Sequence, residues 1–201
     1  MKKILLLIIF PMLLFSGCRS SQPIIQQYYL LELPAHDERP WPERISVLPG
    51  TCLISSADLA AAYATHQIAV REDSHQIRYF GFNEWAIRPE QAFTQLLLDF
   101  YAEHPVFEEV KHGRVAQPTD YVLDTKVIAV ELDAREENLK ARLKLHFLLT
   151  DGEHGEVLHS QRSERTEALE SKDLNSFARA VSQLFTEELH AFSVKLLENR
   201  Q

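Results

Sequence analysis

Glycine and cysteine are scarce in this chain, at six and two of its 201 residues, and each scarcity removes a class of chemistry. So few glycines leave no phosphate-cradling loop and no Gly-x-Ser-x-Gly elbow, so nucleotide binding and serine-type acyl transfer lack their usual scaffolds. The cysteines, Cys18 and Cys52, form no Cys-x-x-Cys pair. None of the nine histidines stands at the i, i+4 spacing of a helical metal pair beside an acid. His154 and His159 lie at a strand start, five apart, which aims them at opposite faces. No metal and no cofactor is expected. Glu108-Glu109 and Glu136-Glu137 read as solvated turns rather than catalytic dyads. Clustered cations are missing too: the formal net charge is −8, which sets nucleic acid aside as a partner and suits solubility.

What is present begins at the N-terminus. Met1-Lys2-Lys3 is basic, residues 4–15 are an almost unbroken apolar run, and Ser16-Gly17-Cys18 closes it. This is the pattern of a secretory signal. The run is shorter than the roughly 20 apolar residues of a permanent span, and polar residues follow it at once. Leu14-Phe15-Ser16-Gly17-Cys18 resembles the bacterial lipobox, with Phe15 where Leu is more usual. The alternative is an ordinary signal with an incidental cysteine.

The lipobox resemblance implies cleavage before Cys18 and a diacylglycerol thioether on its sulfur, with fatty acyl chains such as palmitate. Residues 1–17 are then a signal peptide, 18–27 a lipidated N-terminus and tether, and 28–201 the folded domain. Each buried acyl CH₂ contributes about 0.8 kcal/mol, so two or three chains anchor the protein where one holds it only marginally. Arg19 stands where an Asp would favour inner-membrane retention in enteric lipoproteins, which points to the periplasmic face of the outer membrane. Cys52 is left alone in an oxidising compartment, either as a buried inert thiol or as one that pairs between chains.

The chain after Cys18 is the size of one domain with a real core. Residues 28–33 and 45–50 read as strands, and the Ala-rich stretch 57–64 reads as two helical turns capped by Ser55 or Ser56. Residues 67–71 and 76–80 suggest a hairpin. A helix opens at Pro89, carries Phe93, Leu96, Leu97, Phe100 and Tyr101 on one face, and stops at His104-Pro105. A short strand over 106–110 follows. The long β-rich run 121–132 shifts its apolar phase near Val127-Ile128, as a bulge or a doubly buried strand would. Residues 139–149 alternate apolar and polar throughout, a half-buried strand. A turn at 151–155 leads to a polar return strand, 156–166, that suits a sheet edge. The last element is a helix over 173–198, striped by Leu174, Phe177, Val181, Leu184, Phe185, Leu189, Phe192 and Leu196. The order predicts an α/β or α+β domain: a mainly antiparallel or mixed sheet packed by two long amphipathic helices.

With these residues laid out, the chain resembles the ABC-type transport auxiliary lipoproteins, partners of MCE-type lipid transport systems in Gram-negative envelopes. The resemblance rests on Tyr29-Leu30, on Ile45, Val47 and Pro49, on Gln67-Ile68-Ala69-Val70-Arg71, and on Tyr79 and Trp85-Ala86 before an amphipathic helix. Beyond Thr119 only the layout matches. It implies a non-enzymatic accessory role in moving phospholipids between the two membranes, by docking on an MCE-domain protein. Relatives often carry a Pro-rich, Leu-Asp-Arg-Pro-like stretch where this chain has Ala-rich residues 55–65, which leaves the transporter subgroup open. A structural or assembly lipoprotein of the outer membrane, acting without a transporter, is the competing function.

Two surfaces are candidates for docking. Tyr79, Phe80, Phe82 and Trp85 either close the sheet over the Phe93 helix or present an aromatic anchor to a partner or an acyl chain. The polar strand 156–166 could accept a strand from a partner or from a second copy, which would make a homo-oligomer.

Overall fold

Strand β7 (Tyr121–Asp133) is the spine on which the other elements are hung. The computed structural model describes residues 25–35, 41, 47–115 and 117–198, so the signal segment, Cys18 and most of the tether lie outside the described residues, as do residues 45–46 of the second expected strand. In chain order the elements are β1 (Gln27–Tyr29), β2 (Leu48–Ile54), β3 (Asp58–Leu59), β4 (Gln67–Arg71), β5 (Ile77–Trp85), α1 (Pro89–Glu103), β6 (Phe107–His112), β7, β8 (Lys140–Asp151), β9 (Val157–Ala168) and α2 (Leu174–Glu198).

Along one edge β7 pairs with β8 in a single antiparallel ladder, from Tyr121↔Asp151 to Asp133↔Lys140. Its other edge takes three short parallel strands in turn, at Cys52↔Tyr121, Asp58↔Lys126 and Val70↔Leu132. Strand β6 extends the sheet beyond β2 in parallel, and β5 pairs antiparallel with β4. Strand β1 lies parallel to the end of β5, and β9 lies antiparallel to β8. The sheet is therefore mixed, and the class is α+β, as the pattern predicts.

The apolar phase shift in β7 is a bulge: the register slips between Val127 and Ala129. Before it, Leu123 and Val127 lie opposite Leu149 and Leu145; after it, Val130 and Leu132 lie opposite Leu143 and Ala141. All eight are buried. The extra residue flips the alternation, so that the core face stays apolar on both sides of the slip. It also turns Glu131 and Asp133 to the opposite face.

Helix α2 packs on the β8 side chains of the core face, and α1 packs beside it over β2, β3 and β6. Phe147 lies 5.9 Å from Phe185 and 5.3 Å from Phe192 on α2, and Phe93 of α1 lies 5.0 Å from Phe185. The stripe predicted for α2 is buried throughout, as are Phe93, Leu96, Leu97, Phe100 and Tyr101 of α1. Phe93, Phe100, Phe147, Phe177, Phe185 and Phe192 are fully buried, and burial of each contributes about 1.5–3 kcal/mol. Pro89 opens α1, where its missing N–H costs nothing.

The structure departs from the sequence reading at residues 57–64, which form no helix. Ser55 N–H donates to Leu123 O at 3.0 Å, β3 pairs, and Ala60 N–H donates to Val127 O at 3.0 Å, so the chain keeps following β7 before turning at Tyr63. The alanines favour a helix by well under 1 kcal/mol each, whereas an unpaired edge in mid-sheet would leave a row of buried backbone groups without partners. Strand β1 is also shorter than expected, ending at Tyr29, because Leu31 drops into the core and Glu32 N–H donates to Ser182 Oγ at 3.2 Å. Cys52 is fully buried, and burial pushes its thiol up to about 12. Its surroundings fit the inert reading.

Candidate docking surfaces

Strand β5 carries all four predicted docking residues, and the fold separates them. Trp85 is 3% exposed and tilts against Phe177 at 5.8 Å, so it belongs to the core. Tyr79 is half-buried and its hydroxyl donates to Ala62 O at 2.9 Å, fixing the turn after β3. Phe80 is half-buried with the Arg78 guanidinium 5.2 Å above its ring; such a contact is worth about 0.5–1 kcal/mol. Only Phe82, 51% exposed, presents most of its ring to solvent.

What Phe82 joins was not read from the sequence. Strand β1 lies alongside the end of β5, with Tyr28 opposite Glu84, and Ala86 N–H donates to Tyr29 O at 2.8 Å. This brings Tyr28 and Leu30 beside Phe82 and Ile87, all four exposed. Tyr28 alternates with Tyr29, whose hydroxyl donates to Gln27 Oε1 and Asn83 Oδ1 at 2.8 and 3.1 Å. A three-residue strand gives sequence reasoning too little periodicity to separate the exposed Tyr28 from its half-buried neighbour.

The second surface is β9. Its pairing is to β8 alone, over the full length of both strands. Towards α2 it presents polar groups: Gln161 donates to Glu188 O at 3.3 Å, and Arg165 donates to Glu188 Oε1 at 2.8 Å. On the other face Glu164 accepts from Arg142 at 2.6 Å and pairs with Lys144 at 3.0 Å. Charge on an edge strand discourages indiscriminate pairing while leaving the backbone available.

The most heavily bonded carboxylate in the structure is Glu131, on the face opposite the helices. Its side chain is fully buried. Arg71 donates at 2.6 and 2.9 Å, Tyr63 at 2.5 Å and Arg142 at 2.5 Å. Burial opposes its charge, but the bonds from Arg71, Tyr63 and Arg142 outweigh that and hold it below the usual carboxylate range. A carboxylate so enclosed and so fully bonded is built to hold strands together, not to exchange protons with a substrate. Burial raises the Tyr63 hydroxyl, which is committed to the same cluster.

The cavities are open grooves. One of about 490 Å³ runs between residues 30–35 and α2 and is lined by Leu30, Leu33, Ala178 and Arg179. Among the described residues no three His, Cys, Asp or Glu side chains come together to hold a metal ion. No described helix is long and apolar enough to cross a membrane.

By architecture the molecule is an α+β protein whose open mixed sheet is backed by two helices. The chain belongs to the ABC-type transport auxiliary lipoprotein component family, whose sequence profile matches residues 29–191. No curated protein matches it in sequence. Among solved structures it is similar to protein XCC0632 from Xanthomonas campestris, with a TM-score of 0.72 at 18% identity, over 87% of this chain and 98% of that one. An uncharacterised protein superposes with a TM-score of 0.66 at 12% identity, over 88% and 99% of the two chains. Lipoprotein GNA1162 from Neisseria meningitidis is more distant, at a TM-score of 0.38 and 12% identity over 70% and 99%, too loose a likeness to argue from. At these identities the likenesses show the fold alone. The family is one of auxiliary lipoproteins in transport systems, which points to a membrane-anchored place in the cell envelope.

Proposed function

We propose that this protein is a non-enzymatic accessory component of an ABC/MCE-type system that moves phospholipids between the inner and outer membranes. It is held at the periplasmic face of the outer membrane by lipid on Cys18. The family match over residues 29–191 carries this reading, and the lipobox-like Leu14-Phe15-Ser16-Gly17-Cys18 ahead of it supplies the anchor. The Glu131 carboxylate, enclosed and fully bonded within its cluster, acts as a structural group in this reading.

In this reading β9 is the route by which an MCE-domain protein docks, through strand addition on its long free edge. The same edge could take a second copy. The deciding experiment is affinity capture of the full-length, lipidated protein from envelope membranes. Recovery of an MCE-domain protein together with an ATPase and a permease is the expected result. Capture that brings down outer-membrane assembly components and no MCE protein would replace the transport reading with the assembly one.

A further inference from the structure

Eight large apolar side chains are exposed among the described residues, and they are not scattered. Five of them, Ile25, Tyr28, Leu30, Phe82 and Ile87, lie on β1, the end of β5 and the residues flanking both strands. Single exposed apolar residues need no explanation, but a contiguous group marks a contact surface. Tyr28 is directly opposite Glu84, two residues from Phe82, so Tyr28 and Phe82 lie at the same end of β5. Ala86 bonded to Tyr29 sets Ile87 at the same end.

We infer that this β1–β5 edge seats on the bilayer surface to which the chain is tethered. The inference rests on Cys18 being the lipid anchor and names what the exposed part of β5 touches. Ile25 is seven steps along the chain from Cys18, about 25 Å at full extension, so the bilayer is the apolar partner that covalent geometry keeps permanently within reach. Exposed Tyr and Phe beside aliphatic side chains are the kind that settle at a lipid–water boundary. Arg88, exposed, follows Ile87, and its charge suits lipid phosphates, whereas Arg78 is already paired with Glu72 at 2.6 Å. Two short chain segments that do not anchor the domain by themselves would then fix its orientation. The contact leaves β9, across β8, β7, β4 and β5 from β1, turned to the periplasm.

The test uses the lipidated full-length protein in vesicles of phosphatidylethanolamine and phosphatidylglycerol, with a spin label at one introduced cysteine per sample: Tyr28→Cys, Phe82→Cys, Ile87→Cys, or Val157→Cys as the distant control. Cys52 stays unlabelled because it is fully buried, and the Cys18 sulfur is in its thioether. On transfer from detergent to vesicles, labels at 28, 82 and 87 should lose collisions with a water-soluble nickel complex and gain collisions with oxygen, while 157 stays aqueous. The mass of the N-terminal peptide is read on the same samples. If Cys18 carries its acyl chains and the labels at 28 and 82 remain as aqueous as 157, the bilayer contact is refuted while the anchor stands. If those labels lose both collision partners and broaden through contact with each other, a second copy covers the edge and the proposal fails. If Cys18 carries no lipid, the anchor reading fails and this inference falls with it.

Discussion

The Glu131 carboxylate and the Arg142 guanidinium stand directly opposite each other in the β7–β8 ladder, 2.5 Å apart, on the face away from the helices. They meet only because the bulge at Val127 reverses the alternation of β7; without it Glu131 would point into the apolar core. Arg71 and Tyr63 complete the cluster from residues 60 and 68 positions away. Four segments, the turn after β3, β4, β7 and β8, are tied at one point.

Replacing Glu131 by Gln should be strongly destabilising. It leaves the Arg71 and Arg142 guanidinium groups, only 19% and 17% exposed, without their shared anion; losing one partner of a buried pair costs about 3–5 kcal/mol, and partial exposure puts this case at the lower end. Urea unfolding of wild type and Glu131→Gln at neutral pH measures it.

The pH dependence follows from the same group. Glu131 is depressed below the carboxylate value it has when unfolded, so its contribution is fully present above that unfolded value. It is lost as pH falls through the folded one. Wild-type stability should therefore decline on acidification into and below the ordinary carboxylate range. The Glu131→Gln protein should decline less over the same window, which a series of urea midpoints against pH would show.

Phe147→Ala should cost about 3–5 kcal/mol, because the ring fills the space between β8 and α2 and its removal leaves a cavity. It is fully buried against Phe185 and Phe192. Thermal unfolding checks this, and a loss below 1 kcal/mol would mean that the helix closes onto the sheet.

Gly152 sits where the turn after β8 crosses the start of β7. A Cβ there would meet Thr119 O at 1.7 Å, and Gly152 N–H donates to Asp120 O at 2.9 Å. Gly152→Ala should force the turn away from residues 119–120 and lower the midpoint of thermal unfolding. Gly81→Ala, with open space around the new methyl, is the control that should stay close to wild type.

Cys18→Ala should yield a protein without acyl chains, and mass spectrometry of the N-terminal peptide reads this directly. In the proposed role lipid transport should be lost with the anchor. Full transport by the unlipidated form would show that the tether is dispensable.

The sequence was most legible where one period runs undisturbed. The alternation from Leu139 to Leu149 and the stripe from Leu174 to Leu196 each report a single buried face, and both elements stand where the pattern puts them. The bulge in β7 was legible too, because a change of phase is itself a signal. Residues 57–64 misled because the preference of alanine is local, whereas the demand that made them follow β7 comes from residues 123–127. The aromatic residues of β5 could be listed but not sorted, since Trp85 is buried by Phe177, 92 positions later, and Phe82 is left bare beside β1, 54 positions earlier. The Glu131 cluster left no trace in any one stretch of chain.

The succession of β2, β3 and β4 along one edge of β7 has a consequence for assembly in time. A chain is made from its N-terminus, so these three strands emerge before the strand that completes their ladders exists. Strands β7, β8 and β9 and helix α2 follow one another in sequence and can form the local part of the sheet early, but β2 must wait about 70 residues for Tyr121. Contacts of such separation slow folding. Before β7 arrives β4 can pair with β5 and β2 with β6, but nothing joins those pairs, so the step most exposed to failure is the return of the finished second half to the strands made first.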